Sequence, residues 1–219
     1  MISNLNQINN WKSQIKVGSD NGVELYIAQR YLMNPLLVGG KKFDLRIYAL
    51  VTNYNPLTVY LYKTGFARFT HHRYTNNLED VSNNLVHLTN VAVQKNSDNY
   101  DEKSGGKWDL RCLKIFLMGK YGSEKINTLY FEIQEIIIKS LFSVQKEFNN
   151  DKHCFELYGY DILIDDTLKP WLIEINANPS LYANTPADNE MKVKMLDDML
   201  TVLDLERVYE YIIINFKLV

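Results

Sequence analysis

The amino-acid sequence predicts an α+β protein, because hairpin patterns and long helical periodicities occupy separate stretches of the chain. Residues 43–51 and 58–62 are rich in β-branched and aromatic side chains and flank the turn-forming stretch Asn53-Tyr54-Asn55-Pro56. A second hairpin is indicated at residues 158–164 and 170–175. This order of elements favours α+β over a doubly wound parallel sheet.

The N-terminal part of the sequence predicts a short helix followed by extended chain. Residues 1–20 carry apolar side chains at a weak helical spacing. Residues 24–37 have a strand-like pattern that ends near a proline, and residues 39–42 form a Gly-Gly-Lys-Lys turn. Residues 66–69 are expected to extend the sheet that the first hairpin begins.

The rest of the chain alternates between loop and helix. Residues 71–107 lack periodicity apart from a short segment at 85–93, and a loop this long is usually functional. A helix is expected at 107–117, and a longer one at 124–147, where apolar residues recur every three or four positions. Thr185-Pro186 marks the start of a final helix, with the threonine as its cap.

Composition excludes several classes of protein. The 219 residues are 46% hydrophobic and 23% charged, which is typical of a globular chain, and a net charge of -2 gives no general attraction to nucleic acid or acidic lipid. Cys112 and Cys154 form no Cys-x-x-Cys pair, so a disulfide scaffold or zinc knuckle is not expected. No apolar run approaches the roughly 20 residues that span a bilayer. The length permits one large domain or two small ones, and we expect no nucleic-acid or membrane partner.

The second predicted hairpin brings carboxylates together. On a strand, Glu174 and Asn176 share one face while Ile173 and Ile175 point to the other. If the hairpin closes about Thr167-Leu168, Asp161 lies opposite Glu174. Two carboxylates and an amide oxygen are ligands that suit Mg²⁺, although the same pattern also fits polar residues on a solvent-exposed sheet face. Like charges placed opposite each other are unfavourable in a sheet, and a bound cation would remove that conflict.

The hairpin sequence also resembles a known family. Gly159-Tyr160-Asp161 followed by Leu172-Ile173-Glu174-Ile175-Asn176-Ala177-Asn178-Pro179-Ser180 is similar to the metal-binding hairpin of tubulin tyrosine ligase-like enzymes. Further motifs occur in the order that this family has, and they extend the resemblance over roughly residues 24 to 205: Gln29-Arg30-Tyr31-Leu32, Asn34-Pro35-Leu36-Leu37, Lys42-Phe43-Asp44-Leu45-Arg46, Gly65-Phe66-Ala67-Arg68-Phe69 and His87-Leu88-Thr89-Asn90. Gly105-Gly106-Lys107-Trp108 and residues 151–158 look more like the polyglutamylase branch.

The resemblance implies an ATP-grasp fold and assigns roles to particular residues. Mg²⁺ would be bound by Asp161, Glu174 and Asn176. The backbone near Gln29 and Leu32 would lie beside the adenine. The residues that the resemblance implies for binding the nucleotide are Gln29, Arg30, Tyr31, Leu32, Lys42, Asp44, Thr89 and Asn90. Those that it implies for catalysis are Lys42, Asp44, Arg46 and Arg68.

By the same resemblance, the protein would use ATP and Mg²⁺ to add free L-glutamate to side-chain carboxyls of tubulin C-terminal tails, through an acyl phosphate. Fixed cations suit that chemistry because negative charge develops on phosphoryl and carbonyl oxygens. Its partners would be acidic tubulin tails and subunits of a polyglutamylase complex. Its location would be the cytoplasm and the microtubule cytoskeleton, including the cilium. Two alternatives remain: a polyglycylase, and a non-catalytic subunit that binds tubulin or a complex.

Several residues also have a purely structural interpretation. Asp44 and Arg46 are two positions apart, as in a surface ion pair, and Arg68 has the pattern of a solvated edge-strand charge. His87 is expected to be a structural histidine, and Trp108 and Trp171 are expected to pack in the core. A local basic patch for tubulin tails is also expected, formed by Lys41, Lys63, Arg68, Arg73 and Lys95.

The family also has an N-terminal lobe and a glycine-rich lysine segment, which this sequence does not match. The sequence therefore resembles the C-terminal portion of the catalytic domain. On that basis we expect the chain alone to bind ATP weakly and to have little ligase activity.

Overall fold

The computed structural model describes residues 5–14, 27–77, 80, 83–97, 106–148, 154–204 and 216–218. The helices are α1 (Leu5–Gln14), α2 (Asn84–His87), α3 (Val91–Gln94), α4 (Leu110–Tyr121), α5 (Ser123–Val144) and α6 (Pro186–Leu203), with a 3₁₀ turn at Gln145–Glu147. The strands are β1 (Leu37–Val38), β2 (Lys41–Tyr54), β3 (Leu57–Phe69), β4 (Lys107–Asp109), β5 (Glu156–Ile164), β6 (Pro170–Asn176) and β7 (Phe216–Leu218).

The described strands form one antiparallel sheet. Its main path runs β4-β3-β2-β5-β6, while β1 pairs with β2 and β7 pairs with β3. Strands β2 and β3 form the long first hairpin, and β5 and β6 form the second. Because every pairing is antiparallel and the long helices lie outside the strand-rich stretches, the predicted α+β class is confirmed.

The turn that introduces β2 explains a glycine pair. Gly39 and Gly40 have φ values of 60° and 75°, and Leu37 and Val38 pair with Lys42 and Lys41 on either side of them. A two-residue hairpin of this hand needs positive φ at both central positions, which glycine adopts without a steric penalty. The turn fixes where β2 begins, and therefore which of its residues face each side of the sheet.

One face of the sheet is packed against α4 and α5. The odd-numbered residues of β2, such as Phe43, Leu45 and Ile47, belong to the main core together with apolar residues of both helices. In α5 the buried positions are Ile126, Leu129, Ile133, Ile137 and Leu141, a three- and four-residue spacing that places them on one stripe of the helix.

The opposite face divides into an apolar and a polar half. Tyr48 and Leu50, even-numbered residues of β2, pack with Met195 and Met199 of α6. Helix α6 begins as predicted, because the Thr185 side chain accepts a hydrogen bond from the amide of Asp188. The even-numbered residues at the start of β2 lie outside that packed region and carry charge.

Several local predictions need correction. The described part of residues 24–37 is irregular except for β1, since its pairing is limited to a few backbone bonds with the second hairpin, such as Leu36 N to Ile164 O. Residues 107–109 form a strand, and the helix begins only at Leu110 because Asp109 caps it. Within 71–107, the described segment contains the short helices α2 and α3.

The two predicted core tryptophans lie at the surface. Trp108 and Trp171 are each 40% exposed. Trp108 is on the short strand β4 and contacts the rings of Phe69 and Phe116. The ring centroid of Trp171 lies 4.2 Å from Nζ of Lys169. Among the residues described here, no helix is long and apolar enough to cross a membrane.

Candidate active site

A cluster of ion pairs forms the polar half of the second sheet face. Arg46 on β2 donates from Nε to Oδ1 of Asp161 on β5 at 2.5 Å, because Arg46 and Asp161 are cross-strand neighbours. Arg68 on β3 lies opposite Asp44 and donates two hydrogen bonds to its carboxylate. The Arg68 Nη2 group also reaches Oδ2 of Asp161 at 2.7 Å. The cluster therefore links three neighbouring strands.

This arrangement corrects one interpretation of the sequence. Asp44 and Arg46 share a face, as expected, but they do not form a surface pair with each other. Asp44 pairs with Arg68, and Arg46 pairs with Asp161. Both arginine side chains are only 11% exposed, so Arg68 is not a solvated edge charge either.

The charged forms are stabilised by their partners. Burial acts to raise the pKa of Asp161, but hydrogen bonds and charge from Arg46 and Arg68 outweigh it and hold that pKa below its ordinary value. Burial acts to lower the pKa of Arg68, and Asp44 and Asp161 reverse this. The Arg68 guanidinium is thus held as a cation beside the cavity.

Lys42, the first even-numbered residue of β2 after the turn at its start, is only 7% exposed. Its Nζ donates to the carbonyl of His87 at 2.8 Å and to the hydroxyl of Tyr31 at 3.1 Å. Burial lowers the pKa of Lys42 to about 8, although Asp44 acts in the opposite direction. An anion that binds beside this buried ammonium would stabilise its charged form.

A cavity of about 870 Å³ opens over these residues. Its volume is in the range of small-molecule sites. Most of the residues predicted to bind the nucleotide or metal, or to take part in catalysis, line it: Gln29, Arg30, Tyr31, Leu32, Lys42, Asp44, Arg68, Thr89, Asn90, Asp161 and Glu174. Apolar residues such as Leu163 and Ile173 line the same cavity as these charged residues.

Two predicted residues are adjacent to the cavity without lining it. Arg46 reaches it through its bond to Asp161. Asn176 donates from Nδ2 to Oε1 of Glu174 at 3.1 Å and to the carbonyl of Gly159. The structure therefore brings the predicted site residues into one region of the sheet.

Asp161 lies opposite Glu174 in the second hairpin, as expected from the sequence. The expected closure about Thr167-Leu168 was wrong, because Ile164 pairs with Pro170 and Leu163 with Trp171, one position from the register that this closure gives. The pairing then shifts, since Ile162 pairs with Leu172 and Ile173 is left as a bulge. The bulge interrupts the alternation of side chains between the two faces of the sheet. Ile173 therefore lines the cavity beside Glu174 instead of pointing to the other face. It also lets Leu172 pack on the core while Glu174 faces the site.

The donor set on this hairpin fits a divalent cation. Asp161 and Glu174 are cross-strand carboxylates that line the same cavity, and the Asn176 amide is hydrogen-bonded to Glu174. These are hard oxygen ligands of the kind Mg²⁺ takes. No group of three or more His, Cys, Asp or Glu side chains suited to a metal ion occurs within the described residues. The third donor among the predicted ligands is the amide oxygen of Asn176.

Gly159 is required by close packing at this point. A Cβ atom there would lie 2.8 Å from Cβ of Pro179 and 3.3 Å from Cδ of Arg46. The glycine therefore lets the chain after β6 and the Arg46 side chain approach the strand that carries Asp161. The resemblance included this glycine, but only the structure shows its reason.

Two parts of the site were not predicted from the sequence. His87 is 4% exposed and lines the cavity, with its Nδ1 2.9 Å from the Tyr31 hydroxyl. Asp165 organises the hairpin turn by accepting from Thr167 and Lys169, and its Oδ2 accepts from Trp171 Nε1 at 2.8 Å. An aspartate followed by Asp-Thr in a hairpin turn is a local signal for the second feature.

The predicted basic patch is also altered. Arg68 is committed to ion pairs with Asp44 and Asp161 and cannot belong to an open surface. Lys63, Arg73 and Lys95 are exposed, and Lys41 is half-buried. A patch for acidic peptides that includes these four residues stays a prediction.

Comparisons with known proteins identify the class of protein to which this fold and this charged cavity belong. The chain belongs to the tubulin-tyrosine ligase family, whose family model matches residues 1–210. Among curated relatives, it is 54% identical over 180 residues to the "Probable alpha-tubulin polyglutamylase Ttll1" of Tetrahymena thermophila, covering 82% of this chain and 44% of that protein.

Two further relatives carry similar names. The "Probable tubulin polyglutamylase TTLL9" of Rattus norvegicus is 54% identical over 187 residues, covering 85% of this chain and 40% of the rat protein. The "Probable tubulin polyglutamylase ttll-9" of Caenorhabditis elegans is 46% identical over 207 residues, covering 94% and 49%. The chain spans less than half the length of these relatives.

Proposed function

We propose that the protein is an ATP-grasp ligase that adds glutamate to side-chain carboxyls of tubulin C-terminal tails. The observation that carries the proposal is the convergence of Lys42, Arg68, Asp161 and Glu174 on one cavity, in a chain whose relatives are named polyglutamylases. The whole of residues 1–219 would form part of one catalytic domain.

The reaction would proceed in two steps. The acceptor carboxylate would attack the γ-phosphorus of ATP, forming an acyl phosphate and releasing ADP. The amine of free L-glutamate would then attack the acyl carbon, forming the amide and releasing phosphate. Both steps place negative charge on oxygen atoms, so fixed cations would lower the barrier.

Individual residues would have distinct roles. Lys42 would donate to phosphate oxygens from its buried ammonium, while the fixed guanidinium of Arg68 would orient an anionic oxygen of the acceptor or phosphate. Asp44 and Asp161 would hold Arg68 and Arg46 in place. The backbone at Gln29–Leu32 would contact the adenine, and Thr89 and Asn90 would line the opposite wall.

Asp161, Glu174 and Asn176 would hold Mg²⁺, which when bound would offset charge on the phosphate oxygens and orient them. Until it binds, Arg46 and Arg68 balance Asp161. Glu174 remains exposed at the cavity wall and is available as a ligand.

The test is ATP-dependent incorporation of labelled glutamate into purified tubulin by the full-length protein, with and without Mg²⁺. We expect incorporation that requires Mg²⁺ and falls at least a hundredfold in Glu174→Gln. Asp197→Asn, an exposed carboxylate on α6, is the matched control and should keep full activity.

Other outcomes would change the assignment. Labelled glycine incorporated in place of glutamate would make the protein a polyglycylase. A folded protein that binds tubulin but transfers neither amino acid, with complex subunits supplied, would be a non-catalytic subunit. Full activity in Glu174→Gln would remove that residue from the metal site.

A further inference from the structure

Lys42 belongs to a series of linked hydrogen bonds. The chemistry of the atoms determines which one donates and which one accepts at each link. His87 Nε2 lies 3.0 Å from the backbone carbonyl oxygen of Asp80. A carbonyl oxygen can only accept, so Nε2 must carry the proton. In the neutral ring Nδ1 is then an acceptor, and it faces the Tyr31 hydroxyl at 2.9 Å.

The remaining links follow from this. The Tyr31 hydroxyl donates its proton to His87 Nδ1, which leaves its oxygen lone pairs for the Lys42 ammonium at 3.1 Å. Lys42 has only donors, so it donates both to Tyr31 and to the His87 carbonyl at 2.8 Å. At the other end, the Asp80 carbonyl also accepts from the amide of Asn83 at 2.9 Å, which ties the chain into the turn before α2.

We propose that Tyr31 and His87 are positioning residues for Lys42, acting through this relay from the Lys42 ammonium to the Tyr31 hydroxyl, the His87 ring and the Asp80 carbonyl. The inference rests on the proposed function, in which Lys42 meets the nucleotide phosphates. The relay also connects three walls of the cavity: the segment of Tyr31, strand β2, and the loop that carries Thr89 and Asn90 two and three residues after His87.

The relay requires neutral His87. A second proton would place an N–H at Nδ1, facing a hydroxyl oxygen that already accepts from Lys42. Burial lowers the pKa of His87, and the Lys42 charge lowers it further, while the Asp80 carbonyl acts to raise it. Among the described residues, three other titratable groups act on the relay: the Asp80 carboxylate, whose charge raises the pKa of His87, Asp44, which acts on Lys42, and Tyr74, which acts on Tyr31.

The first experiment follows Lys42 itself, without ligand, by NMR titration of ¹³Cε-labelled lysine in the full-length protein, with Lys42→Met to assign the signal. We expect Lys42 to titrate below the other lysines and its midpoint to fall further in Tyr31→Phe, because the ammonium loses an acceptor. Tyr54→Phe is the matched control, since it removes another buried hydroxyl bond, to Tyr158 at 2.6 Å, on the opposite face of the sheet. An unchanged midpoint in Tyr31→Phe would overturn the relay.

The second experiment measures the Kd of ATP, with Mg²⁺, across pH 6.5 to 9.5 by calorimetry. Tyr31→Phe and His87→Ala should each weaken binding about tenfold at pH 7, in line with loss of a hydrogen bond to a charged group. Both should also shift the alkaline loss of affinity to lower pH. His87→Asn should restore part of the effect, because its amide oxygen can accept from Tyr31 where Nδ1 does.

The outcomes separate the relay from the proposed function. Weakened binding with an unshifted pH profile would indicate a structural role only, and would overturn the positioning role. Wild-type affinity in both variants would do the same. A Lys42 midpoint that responds to Tyr31→Phe in a protein that does not bind ATP would support the relay and overturn the proposed function.

Discussion

The two faces of strand β2 differ in what they contribute. Phe43, Leu45 and Ile47 are buried against α4 and α5, whereas the intervening Lys42, Asp44 and Arg46 are nearly as inaccessible but face the charged cluster. The apolar face gains free energy from burial, while the polar face must satisfy every charge with a partner. One side of the strand thus contributes buried apolar area and the other contributes paired charges. Substitutions only one residue apart should therefore have different costs in stability.

The largest loss of stability is expected on the apolar face. Leu45 is fully buried, and Leu45→Ala should lower the free energy of unfolding by about 2–5 kcal/mol through lost burial and a residual cavity. Urea denaturation measures this, with Lys139→Ala, an exposed site on α5, as a control that changes stability by less than about 0.5 kcal/mol. A loss below about 1 kcal/mol would break the contrast between the faces.

An intermediate loss is expected in the ion-pair cluster. Asp161→Asn removes the negative charge that Arg46 and Arg68 share, and should lower the free energy of unfolding by about 1–3 kcal/mol. The same denaturation assay checks it, and the exposed Asp197→Asn should have no measurable effect. A variant as stable as the wild type would mean that water replaces the carboxylate without cost, and the face would be more open than its contacts indicate.

The effect expected at Lys42 depends on pH, and near pH 7 it is the smallest of the three. The pKa of Lys42 is about 8 in the folded protein, against 10.5 for an ordinary lysine such as that of the unfolded chain. Both states therefore bind the proton below pH 8, and only the unfolded state keeps it between these values. The free energy of unfolding therefore increases as pH rises from about 8 to 10.5. Lys42→Met should remove that increase, and at pH 7 it should change the free energy of unfolding by less than about 1 kcal/mol.

Denaturation of both proteins at pH 7.5 and pH 9.5 measures this difference. Lys63→Met, on the exposed side of β3, should leave the wild-type pH dependence intact. A free energy of unfolding that changes equally with pH in wild type and Lys42→Met would mean that burial does not disfavour the charged form of Lys42. The polar face would then resemble ordinary protein surface.

Much of the local structure could be predicted because it depends on neighbours in sequence. Alternation along each strand predicts which residues share a face, but Asp161 lies opposite Glu174 only because the bulge at Ile173 shifts the register that the turn sets. The cap at Thr185 and the stripe on α5 follow from spacing alone. The bulge at Ile173 has no such signal, since its benefit comes from packing Leu172 on the core while Glu174 faces the cavity.

The α+β class, the hairpins, the long helices and, through the resemblance, the residues that gather at the site could all be predicted without the structure. Which charges form pairs depends on the tertiary structure. Arg46 pairs with a residue 115 positions away, because β2 lies between β3 and β5 in the sheet, and not with Asp44 two positions away. It also buried Lys42 and His87 and linked them through Tyr31, since the environment that shifts a charge is made by distant segments that only folding brings together.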